Sequence, residues 1–319
     1  MNFSNLKEWT TPKGNVTELA IDGVKVWSSH TTHSYDTLIE SSAATCTAEG
    51  YEVYACSCGL TERRTLAALG HSYGTAYVST EFSTGYGQKC SRCGALKALP
   101  ATKLSARGVG NPVYINVSGT RREFMIVHNG RPSTSYDSSC NGIWLMQVRG
   151  YEENVWNERS EMVGNYAESY AHNYLNGTFL NRIDTKVRSI IKQVKIPYNV
   201  YDDETGEFSY FKGSSGLSAK VFLLSRNEVG FGDDVGVPDE EGTVLSYFNS
   251  TYARSRRIMY SSDGQSHWWE RTPVSYNSAC LVTYAGDPNS EYMYEERYYR
   301  PALILPTDTL IDENFNVIA

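Results

Sequence analysis

The richest chemistry in this chain lies in its cysteines and histidines. There are seven cysteines and six histidines in 319 residues. Cys46, Cys56, Cys58, Cys90 and Cys93 cluster early, with His33 and His71 among them, while Cys140 and Cys280 stand apart. An odd number with short spacings suits a metal site better than a disulfide framework. Zinc takes four nitrogen or sulfur donors in a tetrahedron. Cys90-x-x-Cys93-Gly has the shape of a zinc knuckle, and Cys56-x-Cys58 is a tighter variant. One set would draw on Cys46, Cys56 and Cys58 with His33 or His71. The other would draw on Cys90 and Cys93 with His71, and Glu81 as a further candidate. Structural zinc is the leading expectation; free thiols in a decayed repeat, or disulfides, are the alternatives.

A second kind of chemistry is recognition. Residues 276–299 contain six tyrosines in 24 positions: Tyr276, Tyr284, Tyr292, Tyr294, Tyr298 and Tyr299. Asn277, Ser278, Asn289 and Ser290 are interspersed. This is the composition of antibody paratopes, where tyrosine gives large contact at low entropic cost and small polar residues adapt their hydrogen bonds. Aromatic rings also stack on sugar faces and fill interface pockets. A ring in every fourth position exceeds what a core needs. The expected ligand-binding residues are therefore Tyr276, Asn277, Ser278, Tyr284, Asn289, Tyr292, Tyr294 and Tyr298. The alternative is that the tyrosines are ordinary half-buried strand residues.

Catalytic patterns are missing from the sequence. It has no Gly-x-Ser-x-Gly elbow, His-Glu-x-x-His pair, phosphate loop or dinucleotide fingerprint. Cys140 and Cys280 sit among apolar or small residues, as buried inert thiols do, and a disulfide between them is the other option. His128, His172 and His267 are isolated, and pairs such as Glu152-Glu153 carry no geometry. Asp233-Asp234 and Asp239-Glu-Glu241 read as a solvated acidic loop, with Ca²⁺ as the alternative. No enzymatic activity is expected.

Three segments must position these residues. In residues 1–28, two alternating runs flank Asp22-Gly23, a strong hairpin signal. An isolated hairpin is marginal in water, so it docks either on this chain or on another. Residues 29–103 hold an imperfect duplication. His33-Ser-Tyr35, Gly50-Tyr51 and Cys58-Gly59 recur as His71-Ser-Tyr73, Gly85-Tyr86 and Cys93-Gly94. Residues 104–319 mix short strands with one helix over 166–183, broken near Asn176-Gly177. Strands are expected at 113–117 and 124–127 around Ser118-Gly119, and at 196–197, 219–224, 279–284 and 302–305. Without βαβ alternation this is an α+β domain.

The net charge of -7 argues against nucleic-acid binding, which needs a basic patch to displace counterions. All of the excess falls in residues 104–319, with 20 Lys/Arg against 27 Asp/Glu. No stretch approaches the ~18 apolar residues of a membrane helix, and no secretory signal is visible after Met1. Membrane insertion is therefore not expected.

Several stretches carry a family resemblance. They are Arg122-Glu-Phe-Met-Ile-Val127, Ser138-Ser-Cys-Asn-Gly-Ile-Trp-Leu145 and His172-Asn-Tyr-Leu-Asn-Gly-Thr-Phe179, then Gly216-Leu-Ser-Ala-Lys-Val-Phe-Leu-Leu-Ser225, Trp268-Trp-Glu-Arg-Thr-Pro273 and Arg300-Pro-Ala-Leu-Ile-Leu-Pro306. Residues from about 110 to 308 thereby resemble a domain of phage tail proteins and gut-bacterial surface proteins. The repeats before it resemble short Cys/His repeats of Gram-positive gut bacteria and their phages. The resemblance implies a C-type-lectin-like fold, as in formylglycine-generating enzymes and in the variable adhesins of diversity-generating retroelements. Those adhesins display the segment between the last two motifs. Where the family often has Gly-Val before Arg-Pro-Ala, this chain has Tyr298-Tyr299.

The implied protein is a tail-associated adhesin of a phage or prophage, made without a signal peptide and carried in the virion. Its partners would be a bacterial surface glycan or protein and other tail proteins. It would be a homo-oligomer, trimers being common in this class. A structural decoration protein and a polysaccharide-degrading enzyme are the competing readings.

Overall fold

A computed structural model describes residues 9–11, 14–16, 18–21 and 24–28 as strands, and then residues 32–159, 163–232 and 240–319. The chain forms two compact units. One comprises residues 1–76 and 87–97, the other residues 77–86 and 98–319.

In the first unit, Trp9–Thr11 pairs with Gly14–Val16, and Glu18–Ile21 with Val24–Ser28, all antiparallel. The Asp22-Gly23 turn of the expected hairpin lies outside the described residues. Thr37–Ser42, Gly50–Ala55 and Thr61–Leu66 form an antiparallel three-stranded sheet. Gly50 is required there. A Cβ on it would lie 2.3 Å from the Ala44 nitrogen and 2.4 Å from the Ser42 oxygen. Arg63 and Arg64 lie over the Tyr51 and Tyr54 rings at 3.7 and 4.4 Å, covering them from outside. Among the described residues of this unit, only Cys46, Cys56, Cys58, Cys90 and two glycines, Gly50 and Gly87, are buried. The described residues thus form no aliphatic core, so burial of apolar surface among them cannot hold this sheet in place.

The second unit is α+β: many short strands in small sheets, with a few short helices. Pro112–Val117 and Thr120–Asn129 form the expected hairpin. Ser118 and Gly119 have φ of 52° and 73°, as a two-residue primed turn demands. Ile143–Gln147 pairs with the second of these strands and, on its other edge, with Ala302–Leu305. Val221–Phe222 completes this five-stranded sheet. All five residues of Ile143–Gln147 are buried, so both faces of the strand are covered.

A second five-stranded sheet runs in the order Glu153–Val155, Glu296–Tyr298, Trp268–Pro273, Ser278–Val282, Pro288–Tyr292. Ala101–Lys103 pairs with Leu310–Asp312, which brings the start and end of the unit together. Trp144, Trp156, Trp268 and Trp269 are all fully buried. The helix expected to break near Asn176-Gly177 does not break. Its run passes from Tyr170–Tyr174 through a π turn at Leu175–Phe179 into Leu180–Arg182. One extra residue in the turn absorbs the glycine without ending the helix.

Candidate functional site

The early cysteines and histidines gather into two clusters within the first unit. Cys46, His71, Cys90 and Cys93 place one ligand atom each within 4.8 Å of one another, and so do His33, Cys56 and Cys58. The Sγ atoms of Cys46 and Cys90 are 3.9 Å apart, and Cys93 Sγ is 3.3 Å from His71 Nδ1. Bond lengths of a tetrahedral zinc site require edges of ~3.8 Å between sulfurs and ~3.6 Å between sulfur and nitrogen. The donor set and its spacing therefore fit a tetrahedral cation. In the other cluster, Cys58 Sγ lies 3.4 Å from His33 Nδ1.

The grouping corrects the sequence-based assignment. Cys46 belongs with the second copy's ligands, not with Cys56 and Cys58. It is the fourth donor for which Glu81 was the candidate. No disulfide joins any of the seven cysteines, all of which lie among the described residues.

The thiols of this cluster do not ionise alike. Burial pushes the Cys90 thiol up, but backbone N–H groups of Cys93 and Arg92, the His71 side chain and the Ser72 N–H outweigh it and hold the thiol at about 5. Cys46 is pushed up to about 11 by burial and by the neighbouring Cys93 and Cys90 sulfurs. Three sulfurs this close cannot all carry charge without a cation among them.

The tyrosine segment folds as a hairpin. Ser278–Val282 pairs with Pro288–Tyr292 in the register Ser278↔Tyr292, and Met293 N–H donates to the Asn277 carbonyl at 2.9 Å. Tyr276 and Tyr292 are 42% and 52% exposed, and Tyr284 is 55% exposed. The rings of Tyr292 and Tyr294 stack at 5.4 Å with planes 6° apart. The Arg159 guanidinium lies 4.1 Å from the Tyr294 ring centre. The strand ends at Tyr292 and the chain turns at Met293–Tyr294, so the stacked Tyr292 and Tyr294 form a platform at the open end of the hairpin, the end that also carries Tyr276 two residues before Ser278. Tyr284 sits at the turn end, with its ring 5.5 Å from that of His267. The tyrosines thus form two patches rather than one face.

Of the other expected ligand-binding residues, Tyr298 is turned inward. It packs against the core, and Tyr299 is fully buried with its hydroxyl donating to the Val155 carbonyl. A Cβ on Gly150 would lie 2.6 Å from the Tyr298 ring, so this glycine makes the room that Tyr298 fills. Asn277 Oδ1 accepts from the Ser275 and Ser278 hydroxyls at 2.9 and 3.0 Å, which spends both Asn277 and Ser278 on the turn. Asn289 is exposed.

On the strand next to the hairpin, Arg271 anchors a charge network whose acidic members sequence reasoning missed. Arg271, wholly buried, makes a two-pronged pair with Glu228 at 2.6 and 2.9 Å and an ion pair with Glu241 at 3.1 Å. It also donates to the Pro197 and Leu223 carbonyls. Tyr136 donates to Glu228 at 2.8 Å, and the Thr272 hydroxyl donates to Glu241. Glu241 was expected in a solvated acidic loop. It is 1% exposed, while its neighbour Glu240 pairs with Lys212 at the surface; residues 233–239 of that loop lie outside the described residues. Cys140 and Cys280 are also fully buried, and burial raises both thiols, Cys140 to about 12.

Glu270 is the extreme case. It is fully buried and neither carboxylate oxygen has a hydrogen-bond partner. Burial pushes its carboxyl up to about 8, against opposing fields from Arg226 and Arg257. The same cause raises Glu241 to about 7. Folding therefore favours the protonated acids. Their stabilisation is complete below the ordinary carboxyl value of 4.5 and is lost as pH rises through about 7 to 8. Glu270→Gln keeps a neutral side chain at every pH. Its melting temperature should fall less between pH 6 and pH 9 than that of the parent, by an amount worth on the order of a few kcal/mol. Equal falls in thermal melts of the two proteins would contradict the protonated state of Glu270.

Comparison with known proteins adds one match: a domain of unknown function, DUF6273, over residues 141–307. No curated protein and no solved structure matches. The matched span is more than half of the 319 residues and contains the buried tryptophans, the arginine and glutamates of the charge network and the tyrosine hairpin; the chain belongs to the DUF6273 family.

Proposed function

We propose that this protein is a non-enzymatic receptor-binding adhesin of a phage or prophage tail, and that its second unit is a C-type-lectin-like domain that binds a bacterial surface glycan or protein. One observation carries the reading. Tyr276, Tyr292 and Tyr294 stand at one end of a hairpin whose supporting strand, Trp268–Pro273, is buried at all six positions. A rigid base below and stacked aromatic rings above are the arrangement of a binding platform held in place before its ligand arrives. Pairing of the early strand Ala101–Lys103 with the late strand Leu310–Asp312 supports the lectin-like reading, as do the unit's small sheets and short helices.

The repeat unit, on this reading, is a zinc-stabilised module of a homo-oligomeric tail component. Its role is structural, since all four donors of the complete cluster come from protein and leave no open position for chemistry.

Adsorption to cells tests the function. Fluorescently labelled full-length protein should bind saturably to intact Gram-positive gut bacteria of at least one strain in a broad panel. A virion decoration protein would bind none of them, and that result across the panel would remove the adhesin reading.

A further inference from the structure

The second unit has a cavity of about 540 Å³ that is separate from the tyrosine hairpin. Its walls come from the helical run around His172 and Asn176, from the helix Thr185–Ile190, and from the strand Leu217–Ala219 with Lys220 after it. Its size falls within the ~300–1,000 Å³ of small-molecule sites. We propose that it binds a small sugar-like ligand bearing a phosphate or carboxylate group.

Charge is the first argument. Arg188 and Lys220 both line the cavity, and no acidic residue does. This occurs in the part of the chain that holds 20 Lys/Arg against 27 Asp/Glu, so a lining with cations alone runs against the local background. Among the described residues neither Arg188 nor Lys220 makes an ion pair. Arg188 spends only one nitrogen, Nη1, on Asn181, which leaves the rest of its guanidinium free to take a two-pronged oxyanion. Burial lowers the His172 imidazole's proton affinity, so this ring adds a polar wall and no third charge at neutral pH.

The remaining lining combines hydroxyls and amides with the aliphatic Leu180, a mix suited to the polar edge and the apolar face of a sugar ring. The Ser218 hydroxyl oxygen accepts from Gln193 at 3.0 Å, so its own proton is left to donate. Thr185 adds a further hydroxyl, and Ser189, whose proton goes to the Lys186 carbonyl, adds an acceptor oxygen.

Preorganisation is the second argument. Asn176, in the π turn, accepts from the Lys220 and Val221 N–H groups at 2.9 and 3.2 Å and donates to the Val221 and His172 carbonyls. Its side chain clamps the backbone of Lys220 to the helix and so fixes where this side chain leaves the main chain at the cavity wall. A π turn is a costly local geometry that recurs at functional sites.

The test uses the full chain and three probes: inorganic phosphate, glucose 6-phosphate and glucuronic acid, with glucose as the neutral control. Binding is measured by calorimetry at low salt, since partly exposed charge pairs are screened. At least one charged probe should bind more tightly than glucose, and Lys220→Gln with Arg188→Gln should weaken it by about tenfold or more. Inorganic phosphate and glucose 6-phosphate binding without glucuronic acid would assign phosphate; the converse would assign carboxylate. Both side chains sit at the cavity wall and not in the core, and a thermal melt confirms that the variants are folded. Lys220→Met, which keeps the aliphatic stem, provides a second variant. No charged probe binding above glucose, or equal binding by parent and folded variants, would overturn the proposal.

Discussion

Arg271→Met should unfold the second unit or leave it barely stable, with a loss of about 3–5 kcal/mol. The side chain is completely buried, and its removal strands Glu228 and Glu241 in a dry interior with their main cation gone. Two backbone carbonyls, Pro197 and Leu223, also lose their donor. Domains have only about 5–15 kcal/mol in hand, so the change takes a large share of the total. A surface pair gives the comparison. Arg297 bonds Glu291 at 2.6 Å, but the two side chains are 28% and 31% exposed. Arg297→Met should therefore cost about 1 kcal/mol or less. Urea denaturation of both variants decides the matter, and similar midpoints would mean that the buried network does not hold the fold.

The second large effect concerns metal. Removing zinc with a strong chelator should abolish the ordered state of the repeat unit while leaving the melt of the second unit unchanged. Structural zinc contributes about 10–16 kcal/mol of apparent binding energy in small domains, and this unit has little else to fold around. Its buried side chains, among the described residues, are all cysteines. Cys46→Ser should act like Cys90→Ser, although the two residues lie in different repeat copies, because both belong to one donor set. Elemental analysis of the purified chain should find zinc, and each of these variants should lose about one equivalent. A metal-free protein whose repeat unit remains protected from proteolysis would refute the zinc assignment.

These two features differ in how well the sequence reveals them. The candidate metal ligands were legible one by one, because His33, Cys46, Cys56, Cys58, His71, Cys90 and Cys93 are chemically distinctive and closely spaced. Their partition was not. Spacing reports neighbours along the chain, whereas Cys46 meets Cys90 from 44 residues away. The hairpin at Ser118-Gly119 and the strand at 302–305 followed from turn chemistry and apolar runs, whereas the central strand Ile143–Gln147 did not. The charge network gave no such signal. Glu228, Glu241 and Glu270 look like surface residues in a one-dimensional reading; the covering of both faces of Trp268–Pro273 buries Glu270 with Arg271, and Glu228 and Glu241 are brought to Arg271 from distant loops.

The tyrosine segment lies between these extremes. Its composition pointed to display, and Tyr276, Tyr284 and Tyr292 are exposed. Composition could not separate Tyr298 and Tyr299 from them. Those two lie on and after the strand Glu296–Tyr298, which is sandwiched between neighbours, and Gly150 makes space for a ring there. Nor could composition show that the turn places Tyr284 at the far end from the Tyr292–Tyr294 stack.

The central claim is that the open end of this hairpin is the binding surface. Its most direct test is the dissociation constant of the full-length protein on a strain that it adsorbs to, measured for the parent and for the triple variant Tyr276→Ala, Tyr292→Ala, Tyr294→Ala. Central aromatic residues of an interface are worth about 2 kcal/mol or more each. The triple variant should therefore bind at least about 100-fold more weakly, with an unchanged thermal melt. A folded variant that binds as tightly as the parent would contradict the claim.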